Sequence, residues 1–178
     1  YTLDMVSQTW RSEEEVDRTE WQHHLIVTVP DTIEHDTAFL LIGGGDNGDA
    51  PPRVPNLTVI DMARDYGMVA AELRQVPNQP LYFQDEDDRR RVEDSIIAYT
   101  WDRYMRTGDE RWPLRLPMTK AAVRAMDTIE ALLAQERDHT VADFVVAGGS
   151  KRGWTTWTTA VVDARVRACI PIVINMLN

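Results

Sequence analysis

The chain has 178 residues, of which 43% are hydrophobic and 27% charged, and its formal net charge is −10. This composition is globular and supplies enough apolar side chains for a core. A strongly acidic chain lacks the basic face that binds phosphate backbones, so we expect no nucleic-acid partner. No apolar run approaches the roughly 20 residues that cross a bilayer. The lone cysteine, Cys169, excludes an internal disulfide.

The predicted elements alternate between strands and helices along the chain. Apolar, β-branched runs bounded by glycine or proline predict strands over residues 24–29, 37–45, 68–73, 143–149 and 167–174. Helical spacing of apolar residues predicts helices over residues 56–67, 87–108, 119–136 and 151–162. This alternation is typical of an α/β fold with a largely parallel sheet, flanking helices and strands covered on both faces.

The last predicted strand, 167–174, is apolar and would form an open edge of the sheet. Exposed apolar edges favour aggregation. We therefore expect residues 1–178 to be the N-terminal part of a single domain that is completed by a C-terminal segment or by another chain.

Ser150 lies between a predicted strand and a predicted helix, in the sequence Gly148-Gly149-Ser150-Lys151-Arg152-Gly153. A Gly-x-Ser-x-Gly turn in this position is a nucleophile elbow, which presents the serine at a helix N-terminus where a developing oxyanion is stabilised. Here the second glycine is displaced by one position. Three interpretations stay open: a nucleophile, a helix N-cap, or a phosphate-binding turn, although the order of residues differs from a P-loop.

A second glycine-rich segment, Gly43-Gly44-Gly45, ends an earlier predicted strand. Esterases use such a segment to supply a backbone N–H to the oxyanion hole, whereas the alternative is an ordinary flexible loop. The carboxyl ends of parallel strands meet at one edge of a sheet. We therefore predict an oxyanion hole formed by the N–H of Lys151 and one N–H from this triplet.

Lys151 and Arg152 begin a helix, although a helix N-terminus disfavours cations. They are either solvated cations or groups that hold an oxyanion or a substrate carboxylate. We predict that Arg152 contacts substrate. We also predict that Trp154 lines a ligand pocket, the alternative being a packing role.

A serine nucleophile needs a general base and an acid that orients it. In α/β-hydrolases the acid and the histidine follow the serine, but here all four histidines precede it and the one acid after it is Asp163. We therefore expect this chain alone to be weakly active or inactive. The histidines are His23, His24, His35 and His139. No cluster has the ligand spacing of a zinc or calcium site, so we expect no metal and no cofactor.

Stretches along nearly the whole chain resemble the PhoPQ-activated pathogenicity-related protein family. They are SQTWRSEEEVDR, GGGDNG, AELRQVPNQPL, EDSIIAYTWD, RTGDERWPLRLPMTKAAVRAMD, AGGSKRGWTTWTTAVVDARV and IPIVIN. The resemblance implies an α/β-hydrolase-like fold, a bacterial origin, and a periplasmic, secreted or membrane-associated full-length protein that extends beyond this chain. One departure is Asn175, where the family usually has an acidic residue.

The turn around Ser150 is also similar to that of glucuronoyl esterases, which place a basic residue directly after the serine and a glycine three after it. Lys151 and Gly153 occupy those positions. We therefore predict a serine hydrolase that acts on a small-molecule or peptide substrate, an esterase or peptidase, with Ser150 as nucleophile. The alternative is a non-enzymatic secreted or surface protein that keeps the scaffold for binding or signalling.

Overall fold

The computed structural model describes residues 1–174, so Asn175 and its predicted departure from the family pattern lie outside the described residues. The elements within residues 1–174, in chain order, are β1 (Thr2–Thr9), β2 (Glu20–Thr28), β3 (Thr37–Ile42), α1 (Leu57–Tyr66), β4 (Ala70–Leu73), α2 (Asp94–Thr107), α3 (Arg115–Arg137), β5 (Asp143–Gly149), α4 (Lys151–Val162) and β6 (Val166–Ile172).

The strands form one sheet in the order β1-β2-β4-β3-β5-β6. β4, β3, β5 and β6 run parallel, and β2 and β1 continue the sheet antiparallel beyond β4. The predicted largely parallel sheet with flanking helices is therefore confirmed. In the β3–β5 register Ile42 lies opposite Gly148, which brings the glycine triplet and Ser150 to the same edge of the sheet.

Side-chain alternation along β3 divides the core between the two faces of the sheet. Leu40 and Ile42 join the larger cluster, which includes the buried face of α3, for example Met126 and Ile129. Phe39 joins a smaller cluster with α1 on the opposite face. α3 packs against α4, whose Gly153 meets the backbone of β5 on the same face as α3. No helix within residues 1–174 is both long and apolar enough to span a membrane.

Several predicted boundaries are wrong. Residues 87–93 are not helical, because Arg91 instead forms a strand-like bridge with Leu81 and α2 begins only at Asp94. α3 begins at Arg115, four residues before the predicted start at residue 119, since a proline such as Pro117 is tolerated in the first turn of a helix.

The edges of the sheet also differ from the prediction. β1 was not predicted, because its sequence TLDMVSQT mixes polar and apolar residues without a clean alternation. The glycine triplet lies beyond β3, which ends at Ile42. β6 was expected to be covered on both faces, but Ile170 and Ile172 are 46% and 45% exposed.

His23 on β2 is buried and held by two hydrogen bonds. Its Nε2 lies 2.9 Å from Ser7 Oγ and its Nδ1 lies 2.9 Å from the carbonyl oxygen of Arg74. Because a carbonyl only accepts, Nδ1 carries the proton and Nε2 accepts from the serine. Burial lowers the pKa of His23 from 6.5 to about 4, against the backbone hydrogen bonds, which raise it.

We expect His23 to make folding sensitive to mild acid. Since the folded pKa lies below the unfolded pKa, His23 contributes stability that is present above about pH 6.5 and is lost as the pH falls toward 4. The loss amounts to about 3 kcal/mol. Urea unfolding of the natural protein at pH 7 and pH 4.5 should show this loss, and His23→Gln should reduce it. The exposed His35→Gln serves as control, and an equal acid loss in His23→Gln would contradict the buried neutral imidazole.

Candidate functional site

Ser150 has a backbone conformation that side chains rarely adopt. Its φ is 54° and its ψ is −122°, which are the dihedral angles of the first central residue of a type II′ turn, a position dominated by glycine. Its N–H donates to the carbonyl oxygen of Ile172 at 2.8 Å. The side chain is exposed and makes no capping hydrogen bond to α4. Ser150 therefore occupies the N-cap position without capping the helix, and its hydroxyl projects from a strained turn.

Two glycines allow β5 and α4 to approach closely around this turn. A Cβ on Gly148 would lie 2.6 Å from the carbonyl oxygen of Arg152. A Cβ on Gly153 would lie 2.7 Å from Ile174 Cγ2 and 3.0 Å from the carbonyl oxygen of Gly148. The glycine displaced to position 153 therefore contacts the backbone of β5. A side chain at this position would push α4 and β5 apart.

We expect Gly153→Ala to destabilise the fold, because the added methyl group meets backbone atoms that cannot move away independently. The expected cost is about 1–3 kcal/mol, as for other overpacking substitutions. Gly149→Ala is the matched control, since a Cβ there meets no atom within 4 Å. Chemical denaturation of both variants measures the difference, and equal stabilities would contradict the close helix–strand contact.

The glycine triplet is fastened to the loop after β4 by backbone hydrogen bonds. The N–H of Gly43 donates to the carbonyl oxygen of Leu73 at 2.7 Å, and Gly44 accepts from Gln75 at 2.9 Å. Gly43 is therefore unable to donate to an oxyanion without losing this bond. The N–H groups of Gly44 and Gly45 have no hydrogen-bond partner among residues 1–174. The N–H of Lys151, the first residue of α4, has no intrahelical acceptor either.

Both cations that follow Ser150 bind the same carboxylate. The Nζ of Lys151 lies 2.8 Å from Glu93 Oε2, and Arg152 donates to the two oxygens of Glu93 at 3.0 and 2.7 Å. Neither cation is solvated, because each side chain is only 13% exposed. Arg152 also donates to the carbonyl oxygen of Val76, and its Nη2 lies 2.7 Å from where a Cβ on Gly44 would be. Arg152 thus joins the glycine triplet to α4 and to the start of α2.

Glu93 precedes α2 in the same strained conformation as Ser150, with φ 51° and ψ −123°. Gln79 holds it on both sides: its Oε1 accepts from the Glu93 N–H at 2.9 Å, and its Nε2 donates to Glu93 Oε1 at 3.0 Å. Partial burial opposes ionisation of Glu93, but hydrogen bonds from Arg152 and Lys151 outweigh it and lower the pKa to about 2. Glu93 is therefore ionised throughout the physiological range.

We expect Glu93→Gln to destabilise the protein at pH 7, because it leaves Lys151 and Arg152 without their shared carboxylate. Allowing for the partial exposure of the pair, the cost is about 1–2 kcal/mol. Since the pKa of Glu93 is lowered, its contribution is present above about pH 4.5 and is lost as the pH falls toward 2. Denaturation curves should therefore show a variant deficit that shrinks below pH 4.5. The exposed Glu14→Gln is the control, and a deficit independent of pH would contradict this assignment.

The histidines lie away from Ser150. His23 and His24 are on β2, at the same edge of the sheet but three strand spacings from β5, or about 14 Å. His35 and His139 precede β3 and β5 and so lie at the opposite edge. Asp163 follows α4, about 18 Å from Ser150 along the helix axis, and binds Arg165. Among residues 1–174 no histidine or carboxylate hydrogen-bonds the Ser150 hydroxyl.

Trp154 lies one turn along α4 from Ser150 and is half-buried. The guanidinium of Arg115 stacks over its ring at 3.9 Å and donates to the carbonyl oxygen of Lys151 at 2.8 Å. The ligand-lining role of Trp154 stays a prediction. Two residues at this site were not predicted from the sequence: Arg115, which precedes the predicted helix 119–136, and Glu93, which lies inside the predicted helix 87–108. Two cations at a helix N-terminus signal a nearby carboxylate, but Glu93 is 59 residues from Arg152.

Three known proteins are similar to this chain. Autocrine proliferation repressor protein A of Dictyostelium discoideum is 39% identical over 180 residues, which cover all of this chain and 36% of that protein. The acetyl xylan esterase from Paenibacillus sp. R4 superposes with a TM-score of 0.54 at 16% identity, over 96% of this chain and 52% of that one. The dienelactone hydrolase from Anabaena variabilis gives a TM-score of 0.45 at 14% identity, over 95% of this chain and 61% of that one.

The likeness to the acetyl xylan esterase shows the fold alone, which is that of the α/β-hydrolases. This chain spans about a third of the length of the Dictyostelium relative and about half of the esterase. The expected restriction to bacteria is too narrow, because one relative comes from Dictyostelium. The model of the PhoPQ-activated pathogenicity-related protein family matches residues 1–178. The chain therefore belongs to that family.

Proposed function

We propose that this chain carries the nucleophile and the oxyanion hole of a serine hydrolase that cleaves ester or peptide bonds. The observation that carries the proposal is Ser150 itself, an exposed serine with φ 54° and ψ −122° between β5 and α4, whose hydroxyl does not cap the helix. A strained strand-to-helix turn that exposes a serine is the geometry of a nucleophile elbow. Backbone strain of this kind concentrates at functional sites.

The groups around Ser150 suit the charge that develops during acyl transfer. When the serine oxygen adds to a carbonyl carbon, the carbonyl oxygen becomes an oxyanion that needs preorganised N–H donors. The N–H of Lys151 and that of Gly44 or Gly45 are the candidate donors, because each lacks a partner among the described residues. In this proposal Arg152 holds Gly44 beside α4, and its predicted contact with substrate stays a prediction.

The proposal requires a general base that residues 1–174 do not place at Ser150. We propose that a C-terminal segment of a longer protein, or a complementing chain, supplies the histidine and its orienting acid. This agrees with the length of the Dictyostelium relative, of which the chain spans 36%. A small-molecule or peptide substrate, and a periplasmic, secreted or membrane-associated location of the full-length protein, belong to the same proposal.

A signalling role is the second candidate function. The Dictyostelium relative is named as an autocrine repressor of proliferation, and a hydrolase scaffold does not by itself imply catalysis. In this alternative the chain keeps the fold for binding, and Ser150 is not an activated nucleophile.

Treatment of the full-length natural protein with a fluorophosphonate probe separates the two functions. We expect covalent labelling at Ser150, because an activated serine attacks the phosphorus and displaces fluoride, and a fall to background in Ser150→Ala. Ser12→Ala, at an exposed serine outside the site, is the matched control and should label normally. A folded full-length protein that does not label would exclude the hydrolase and favour signalling.

A further inference from the structure

Arg115, the first residue of α3, is a buried cation without a carboxylate partner among residues 1–174. It is only 7% exposed. One N–H donates to the carbonyl oxygen of Lys151 at 2.8 Å, and the same nitrogen lies 3.8 Å from the sulfur of Met118. Its Nε is buried and has no hydrogen-bond partner among the described residues. The Trp154 ring, 3.9 Å from the guanidinium carbon, covers one face of the group.

This environment is unfavourable for a guanidinium, because burial removes its hydration and no anion among residues 1–174 contacts it instead. Burial is the main cause that lowers the pKa of Arg115 to about 10, with attraction from Asp94 and repulsion from Arg152 as smaller influences. The neighbouring cations differ, since Lys151 and Arg152 share Glu93. No described residue therefore neutralises the charge of Arg115, and a bound anion could do so.

Arg115 lines a groove of about 470 Å³ between α3 and α4, a volume that suits a small ligand. The walls are mainly apolar and are formed by Leu116, Val123, Val161 and Val162.

Besides Arg115, the polar side chains of the groove are two threonines and a lysine. The threonines, Thr119 and Thr158, form a hydrogen bond with each other, with their hydroxyl oxygens 2.6 Å apart. Lys120 also lines the groove and forms no ion pair within the described part of the chain.

The groove combines apolar walls with two cations that form no ion pair within residues 1–174. Such a groove matches an anion that carries a hydrocarbon tail. Arginine favours carboxylates because its planar N–H groups match two oxygens at once. A highly charged ligand such as a nucleotide would bring further anionic groups against valine and leucine side chains, where no donor compensates their desolvation.

We propose that this groove binds a small amphiphilic carboxylate of the medium-chain fatty acid class. The carboxylate pairs with Arg115 and Lys120, and the hydrocarbon chain lies along Val123, Val161 and Val162. The site is separate from the hydroxyl of Ser150 and does not depend on the proposed hydrolysis.

Calorimetric titration of the full-length protein carrying Ser150→Ala tests this site, with octanoate and 1-octanol as probes. The Ser150→Ala background removes the proposed nucleophile, so a failure of the hydrolase proposal leaves the measurement unaffected. We expect octanoate to bind about 10-fold more tightly than 1-octanol, which is the discrimination expected from a charge-assisted hydrogen bond. Arg115→Met should reduce this preference, and Lys120 accounts for any part of it that remains.

A second variant keeps the test independent of the stability of Arg115→Met. Val161 is exposed, so Val161→Glu should fold normally while it places a negative charge beside the hydrocarbon chain. We expect it to weaken octanoate binding at least about 10-fold, whereas Val54→Glu, at an exposed valine outside the groove, should bind octanoate normally. Three outcomes would each overturn the proposal. The protein could bind octanoate and 1-octanol with equal affinity, or the folded protein could fail to bind octanoate because another segment fills the groove. The third outcome is unchanged octanoate binding in Val161→Glu.

Discussion

The close contact between α4 and β5 sets the geometry of the candidate site. Gly148 and Gly153 meet without side chains between them, and a Cβ on Gly148 would lie 2.6 Å from the carbonyl oxygen of Arg152. Because α4 packs this closely on β5, the chain turns sharply between the strand and the helix, and Ser150 in this turn has a positive φ. Such a conformation costs about 1–3 kcal/mol unless the surrounding structure enforces it. The buried strand β5 and the bond from Ser150 N–H to Ile172 provide that enforcement.

The N-terminus of α4 also carries two positively charged side chains, which are unfavourable at this end of a helix. Lys151 and Arg152 lie where the helix dipole is positive. Glu93 compensates this unfavourable charge because its carboxylate accepts hydrogen bonds from both side chains. The resulting cluster also fixes a loop, because Arg152 lies over Gly44 and donates to the carbonyl oxygen of Val76. A long-range ion pair thus positions the backbone groups that the proposed oxyanion hole requires.

The sequence predicted the centre of the fold better than its periphery. β5 and α4 were placed correctly because an apolar run, a glycine turn and helical spacing agree in that segment. β1 was missed because its pairing with β2, and not its own pattern, makes it a strand. Glu93 and Arg115 were missed for a related reason: their partners, Arg152 and Trp154, are distant in sequence, and no local pattern selects one acidic residue from 29.

Ser150 and Arg115 share a property that bears on function. At position 150 glycine would adopt the observed φ without strain, and the serine hydroxyl makes no capping bond in return. At position 115 an apolar side chain would avoid the desolvation of a guanidinium that has no counterion among the described residues. Local preferences would favour a simpler residue at each position, although Arg115 also stacks on Trp154 and donates to the carbonyl oxygen of Lys151. Residues that break local rules are expected at functional sites, and these two lie beside the same helix, one at its N-terminus and one against its first turn. This pairing favours a helix that presents two chemical groups to ligands over one that serves only as scaffold.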